Sequence, residues 1–154
     1  MRFLAGGIIG ILLMLFLNHT SVVPVVRDIS FTEMSERTIV LEENNGFRFY
    51  TRVDREQIEW VIDTGSDVVL LSKRTAAILG VRTEGYRTQK TNTVGGIVDV
   101  VPVEIRKMQF GGIVVHRVGA AIVTNDFSQN LLGMTFLRKL KRFEFSKGQL
   151  TLEK

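Results

Sequence analysis

The sequence predicts an all-β domain preceded by an apolar N-terminal helix, and three observations support this prediction. The chain has 154 residues, the length of one domain of about 100–150 residues. Residues 3–17 contain no charged or strongly polar side chain. From Thr38 onward, β-branched and apolar residues alternate with polar ones, which is the period of β-strands. We therefore divide the chain into a membrane anchor at 1–27, a polar linker at 28–37 and a β domain at 38–154.

The anchor prediction depends on the apolar segment from Phe3 to Val26. Its 24 residues exceed the about 20 that a helix needs to cross a bilayer. A signal peptide and a buried helix are the alternatives, because Arg2 precedes the apolar core, but no Ala-x-Ala-like cleavage site follows it. Acidic residues outnumber basic ones in the stretch after the span. The positive-inside rule thus predicts a single-pass protein of the inner (cytoplasmic) membrane whose domain faces the periplasm.

Composition excludes several classes of function. The sequence contains no cysteine, so disulfides and thiol catalysis are ruled out. Its two histidines lack acidic partners at ligand spacing, so we expect no metal and no cofactor. The net charge is +4, and the basic residues from Arg138 to Arg142 have no accompanying aromatic motif. We therefore expect no binding of nucleic acid.

The first half of the domain is predicted to form a hairpin, a short strand and a short helix. Alternating apolar residues at 47–53 and 58–62 predict two strands joined by a polar turn. Val68 to Leu71 is apolar throughout and predicts a short buried strand. Thr75 to Leu79 predicts a short helix, which Gly80 ends.

Glycine pairs separate the next predicted strands. Gly95-Gly96 divides residues 87–94 from residues 97–105 and predicts a second hairpin. Residues 108–123 predict two further strands around Gly111-Gly112.

The C-terminal region combines one amphipathic helix with a last hairpin. Residues 133–140 carry apolar side chains at helical spacing and predict the helix. Residues 142–145 and 150–152 alternate on either side of Lys147-Gly148, which predicts a closing hairpin.

One carboxylate stands between two apolar segments that are predicted to be strands. The run from Trp60 to Leu71 contains the sequence Asp63-Thr64-Gly65-Ser66. An acid in such a position is costly unless it has a task or a partner. An aspartate that only caps a turn is the structural alternative, and residues elsewhere in the chain decide between the two.

Two downstream segments accompany the Asp63 loop. One is Thr93-Val94-Gly95-Gly96, at the tip of the second predicted hairpin, and the other is Asn130-Leu131-Leu132-Gly133-Met134. Their order and spacing resemble the retropepsins, the single-domain relatives of retroviral proteases. The motif at 131–137, Leu-Leu-Gly-Met-Thr-Phe-Leu, resembles above all a bacterial, membrane-anchored group of them. The resemblance implies a retropepsin-like acid-protease β-barrel with one short C-terminal helix.

The resemblance also implies a role for each segment. Asp63 is the expected catalytic carboxylate, in an active-site loop with Thr64, whose hydroxyl would hold two loops together, and with Gly65 and Ser66. The Ser66 hydroxyl is expected to donate to the Asp63 carboxylate. The expected flap over a bound peptide, which needs mobile backbone, comprises Thr93, Val94, Gly95 and Gly96. Leu131, Leu132 and Gly133 are expected to support the active-site loop from behind. Gly133 has no side chain and would therefore allow a close strand crossing.

The count of catalytic loops predicts a dimer. Aspartic proteases use two carboxylates about 3 Å apart that share one proton, and this sequence has one Asp-Thr-Gly. We therefore expect a homodimeric aspartic endopeptidase, acting on peptide or protein substrates, with the two Asp63 carboxylates on its two-fold axis. A catalytically silent module that dimerises or binds peptides is the alternative. An adhesion sandwich would explain neither Gly133 nor the flap.

Overall fold

The computed structural model describes residues 25–30, 38–43, 47–53, 56–93 and 96–154. Within these ranges the chain is mostly β, as predicted, with two short helices. The elements in chain order are β1 (Val25–Ser30), β2 (Thr38–Glu42), β3 (Arg48–Val53), β4 (Glu56–Ile62), β5 (Val69–Leu71), α1 (Lys73–Ile78), β6 (Gln89–Thr93), β7 (Gly96–Phe110), β8 (Ile113–Val123), β9 (Leu131–Leu132), α2 (Met134–Leu137), β10 (Arg142–Ser146) and β11 (Gln149–Glu153).

The described strands form two sheets. The larger follows the order β1-β7-β8-β5-β9-β4-β3, and β6 pairs with the free end of β7. Because β1 at one end of this order also contacts β3 at the other, the sheet curls round on itself. The smaller sheet has the order β10-β11-β2. The C-terminal hairpin thus joins the first strand of the predicted 38–154 domain.

The hairpin of β3 and β4 forms where its alternation predicts it. Phe49 lies opposite Trp60, and Thr51 lies opposite Ile58. Trp60 is fully buried, and its Nε1–H donates to the buried Thr51 hydroxyl at 2.9 Å. A buried N–H without such a partner costs about 1–3 kcal/mol. The hydrogen bond therefore lets β4 carry an aromatic core residue just before the strand reaches Asp63.

Strand β1 differs from the predicted boundaries of anchor and linker. Residues 25–27 were expected in the anchor and 28–30 in the linker, but together they form a strand parallel to β7, from Val25 beside Glu104 to Ser30 beside Gln109. Valine favours strands, and β7 is paired with β6 only as far as Val100, which leaves its later edge open for β1. The remainder of the predicted anchor and linker lies outside the described residues. In the described part of the chain, no helix is long and apolar enough to cross a membrane.

Strand β7 is longer than predicted. It runs without interruption through Arg106-Lys107, two residues that the sequence pattern predicts to separate two strands. Ile105 and Met108 are both buried although they are three residues apart, so the alternation shifts by one residue at this point. The strand stays continuous because its pairing with β8 keeps one register, from Ile105 opposite Val118 to Lys107 opposite His116. A single 15-residue strand therefore connects the flap hairpin to the far end of the sheet.

Both helices have different lengths from those predicted. α1 starts at Lys73 because Ser72 caps it, accepting a hydrogen bond from Thr75 N, and Gly80 follows its end with φ +70°. α2 is confined to Met134–Leu137 instead of 133–140. After it, Lys139 N bonds to Phe136 O and Leu140 N to Leu137 O. This i to i+3 spacing belongs to tighter, 3₁₀-type turns, so the α-helix stops early.

Candidate active site

Asp63 follows β4 directly, and its own turn orients the carboxylate. The Gly65 N–H donates to Asp63 Oδ1 at 2.8 Å, and the Ser66 N–H donates to the Asp63 carbonyl at 3.2 Å. A Cβ on residue 65 would lie 3.1 Å from Asp63 Oδ1, closer than most real contacts. Glycine therefore permits the approach that fixes the half-buried Asp63 side chain.

The short strand β9 lies directly beneath this loop. It pairs in parallel with the end of β4, Val61 beside Leu131 and Ile62 beside Leu132. On its other side, Leu131 pairs with Leu70 of β5. The Asp63 N–H donates to the Leu132 carbonyl at 3.3 Å. The strands that enter and leave the loop are therefore bound to the same two-residue support.

Gly133 is where the chain crosses closest to the loop. A Cβ there would lie 2.2 Å from the Val68 carbonyl oxygen and 2.6 Å from the Ser66 carbonyl oxygen. Its φ is −89°, so this glycine is required for space and not for an unusual backbone conformation. The next residue, Met134, donates its N–H to the Ser66 carbonyl at 2.8 Å. The absence of a side chain thus allows backbone to contact backbone behind the Asp63 loop.

The Ser66 hydroxyl has a different partner from the expected one. It donates to the Val68 carbonyl at 2.7 Å and not to the Asp63 carboxylate. The Gly65 N–H already bonds that carboxylate, and Val68 O is only two residues ahead in the turn. Ser66 therefore tightens the path from the loop into β5. Thr64, expected to hold two loops together, is exposed in the single chain.

Asn130 is a supporting residue to which the sequence analysis gave no role. It is buried, its Oδ1 accepts from the Ser72 N–H at 3.0 Å, and its Nδ2 donates to the Glu59 carbonyl at 2.9 Å. One amide side chain thus connects β4 with the start of α1. A polar residue directly before the apolar Leu131-Leu132 pair was the available signal.

Thr135 is the second supporting residue that sequence reasoning missed. Its Oγ1 accepts from the Val69 N–H at 3.0 Å and donates to the Gly119 carbonyl at 2.6 Å. Its backbone N–H donates to the Asp67 carbonyl at 3.0 Å. Thr135 therefore connects the end of the Asp63 loop to β5 and β8. In the sequence, this role was indicated by a hydroxyl side chain within an otherwise apolar helix.

The predicted flap residues are at the end of the β6–β7 hairpin. Thr93 pairs with Gly96, and its hydroxyl donates to the Gly96 carbonyl at 2.8 Å. Val94 and Gly95 lie outside the described residues. Gly96 has φ +111°, a conformation that L side chains rarely adopt, and the next residue, Ile97, is 68% exposed. The hairpin thus ends in a glycine and an exposed apolar side chain.

A second, smaller apolar cluster lies between the flap hairpin and the strands around the loop. A shallow depression at its surface is bordered by Gln89, Lys90 and Thr91 of the flap hairpin. The buried members of the cluster are Val68, Leu70, Val100, Ala121 and Val123, and the partly buried ones are Val98, Phe127 and Leu131. Val68 and Leu70, which follow Asp63 in the chain, therefore belong to an apolar surface that borders the flap hairpin.

Within the described ranges, no group of three or more His, Cys, Asp or Glu residues is placed to hold a metal. The one Asp-Thr-Gly loop of the chain supplies a single oriented carboxylate. Its neighbours are backbone amides, carbonyls and apolar side chains. An oriented carboxylate of this kind is suited to taking up and releasing a proton.

Comparison with known proteins identifies the family. The family described as "gag-polyprotein putative aspartyl protease" matches residues 50–139, more than half of the chain, including the Asp63 loop and the Leu131–Gly133 support. A Sinorhizobium protein described as an uncharacterized protein in the cobV 5' region is 26% identical over 121 residues, 76% of this chain. The chain spans about half the length of that curated relative, 52%.

A solved structure shows the same fold. The crystal structure of a retropepsin-like aspartic protease from Rickettsia conorii has a TM-score of 0.62 and 24% identity, covering 75% of this chain and 89% of that one. The EIAV protease complexed with an inhibitor has a TM-score of 0.44 and 21% identity, covering 53% of this chain and 75% of that one. The mostly β fold with two small helices is thus the retropepsin-like fold, and the chain belongs to the retropepsin-like aspartic protease family.

Proposed function

We propose that this chain is an aspartic endopeptidase whose active site is completed by a second copy, each copy supplying Asp63. The observation that carries the proposal is the way the loop is held. Gly65 N orients the carboxylate, Leu132 O binds the backbone of Asp63, and Gly133 packs against the carbonyls of Ser66 and Val68. Such preorganisation of one acidic side chain is what proton-transfer catalysis requires.

The chemistry follows from two such carboxylates brought together. Two acids about 3 Å apart share one proton, because like charges that close cannot both ionise. The ionised Asp63 would take a proton from the attacking water. The protonated one would donate a hydrogen bond to the scissile carbonyl and stabilise the charge that develops on its oxygen. One carboxylate per chain therefore fits a C2 dimer.

The surroundings support a peptide as the substrate. The β6–β7 hairpin ends in glycine, so its backbone is able to approach an extended peptide and to move. The apolar cluster containing Val68, Leu70 and Val100 is suited to apolar side chains near the cleaved bond. A silent peptide-binding module would use the same surfaces, and only cleavage distinguishes the two functions.

The test is cleavage of a mixed peptide library by the full-length protein in mild detergent. We expect cleavage at acid pH, block by a statine-type inhibitor, and loss of activity as the pH rises and the pair gives up its shared proton. Specific activity is expected to fall on dilution, because the dimer dissociates. Concentration-independent activity from a protein that sediments as a monomer would contradict the shared site. Inhibitor binding without cleavage would identify the silent module.

We further propose that the N-terminal apolar segment anchors the protein in the inner membrane, with its domain in the periplasm. The support is the sequence of residues 3–24, which lacks charged side chains and ends where β1 begins. The full-length protein is expected to remain with membranes after alkaline washing. Release by salt alone would indicate attraction of basic residues to headgroups, which salt screens. A mature N-terminus near residues 20–27 would indicate a signal peptide.

A further inference from the structure

The pairing of β1, β7 and β8 brings three arginines into one row across the larger sheet. The antiparallel register of β7 and β8, which is the same on either side of this point, places Arg106 opposite Arg117. The parallel register of β1 and β7, with Val26 beside Ile105, places Arg27 beside Arg106. We call Arg27, Arg106 and Arg117 the arginine row.

The arginine row is an unfavourable arrangement for folding alone. Like charges directly opposite each other destabilise a pair of strands. Arg117 also has φ +53°, a backbone conformation that is uncommon for a residue with a side chain. Arg106 is exposed, and the Arg117 side chain is 79% exposed. Two guanidinium groups are therefore presented to the outside at a position where the sheet gains nothing from them.

Nearby carboxylates offset only part of this charge. Glu104 forms an ion pair with Arg117 at 3.5 Å, and Asp28 lies beside Lys107 in the β1–β7 pair. Within the described ranges, Arg106 forms no ion pair. Positive charges therefore outnumber negative ones at the row. Guanidinium groups form strong, often bidentate hydrogen bonds to phosphate, so a phosphate group is a suitable ligand.

The row lies next to the segment that we propose as the membrane anchor. Strand β1 begins at Val25, directly after the apolar residues 3–24, and Arg27 is two residues further on. A strand rises about 3.3 Å per residue, so the row lies within about 10 Å of the end of the apolar segment. When that segment spans a bilayer, the row is at the level of the lipid headgroups.

We propose that the arginine row docks on the phosphate groups of anionic phospholipids in the membrane that the N-terminal segment enters. The inference rests on the proposed anchor, which brings the row to the headgroups. A single span by itself leaves the domain free to turn about its tether. Contact through the row selects one orientation, in which this end of β7 faces the bilayer.

This orientation keeps the active site accessible. Strand β7 runs from Gly96 to Phe110, so Arg106 is about 30 Å along the extended strand from the flap end. The row and the flap therefore lie at opposite ends of β7. Headgroup contact at the row leaves the flap end free to receive a peptide beside Asp63.

The test is the lipid preference of the full-length protein in mild nonionic detergent, with bound lipids counted by native mass spectrometry. We expect phosphatidylglycerol to bind more tightly than phosphatidylcholine, and high salt to reduce the difference. Replacing both Arg106 and Arg117 by Gln is expected to weaken phosphatidylglycerol binding about 25-fold, since each basic residue beside an anionic surface contributes about fivefold. Lys at both positions keeps the charge and should keep most of the preference.

The matched control replaces Arg82 and Arg87 by Gln. Both are exposed in the connection between α1 and β6, and the change in net charge is the same. This variant should bind phosphatidylglycerol within about twofold of the wild type. An equal loss in the two double variants would show general charge attraction and would overturn the row. Arg117→Gly covers poor folding, because glycine suits a positive φ; it should keep or raise stability and still weaken binding about fivefold.

The outcomes separate the row from the proposed function. Equal binding of the two lipids by the wild type would overturn the row and leave the anchor and peptide cleavage standing. The intact mass in the same spectra identifies the N-terminus. A chain processed near residues 20–27 that still prefers phosphatidylglycerol would remove the anchor and keep the row as a lipid contact. A processed chain without that preference would overturn both.

Discussion

Asp63→Asn is expected to lower peptide cleavage by at least about 1,000-fold, because the amide neither takes a proton from water nor shares one with its partner. The fold should survive. The amide oxygen is still able to accept the Gly65 N–H that now bonds Asp63 Oδ1, so the free energy of unfolding should change by no more than about 1 kcal/mol. Purified variant and wild type are compared by initial rates at acid pH and by urea unfolding.

The matched control for this substitution is Asp126→Asn. Asp126 is exposed between β8 and β9, so the same change of charge there should leave the rate within a few-fold of the wild type. Cleavage by the Asp63 variant at a rate close to that of the control would show that the catalytic carboxylate lies elsewhere.

Gly133→Ala is expected to have the largest effect on stability. The added Cβ would meet backbone oxygens of Val68 and Ser66 at 2.2 and 2.6 Å, and neither oxygen can move without displacing the loop. Overpacking of this kind costs about 3 kcal/mol. Because Asp63 belongs to the same loop, cleavage should fall even under conditions where the variant remains folded. Urea unfolding and initial rates measure the two effects.

Gly119→Ala provides the comparison for Gly133→Ala. At residue 119 the nearest atom to a new Cβ is the Thr135 methyl carbon at 3.7 Å, an ordinary contact, so stability should change by no more than about 0.5 kcal/mol. Equal stability of the two variants would mean that the chain crossing at Gly133 is looser than the structure shows.

Features that depend on local patterns were predicted from the sequence. Alternating apolar residues at 47–53 and 58–62 predicted the β3–β4 hairpin, and the glycines at 95–96 predicted the position of the β6–β7 turn. The close approach at Gly133 was also expected, although from the resemblance and not from a pattern. For the two hairpins, neighbouring residues carry the signal.

Features that depend on distant partners were not predicted. The apolar residues at 25–26 extend the N-terminal segment, and an apolar run alone does not distinguish helix from strand. Only the open edge of β7 makes β1 a strand. Similarly, the partners of Asn130 and Thr135 are as far as 71 residues away in the chain. The sequence suggested the Asp63 carboxylate as the acceptor of the Ser66 hydroxyl, and the folded turn places the Val68 carbonyl there instead.

Mixing the wild-type chain with the Asp63→Asn variant tests the shared active site most directly. Full-length chains are combined in equal amounts, allowed to exchange partners and assayed for cleavage at acid pH. If each site needs Asp63 from both copies, about half of the wild-type chains pair with a variant and are inactive, so activity per wild-type chain falls to about half. Activity per wild-type chain that does not change on mixing, with partner exchange verified, would show that one chain holds the whole site and would contradict the account.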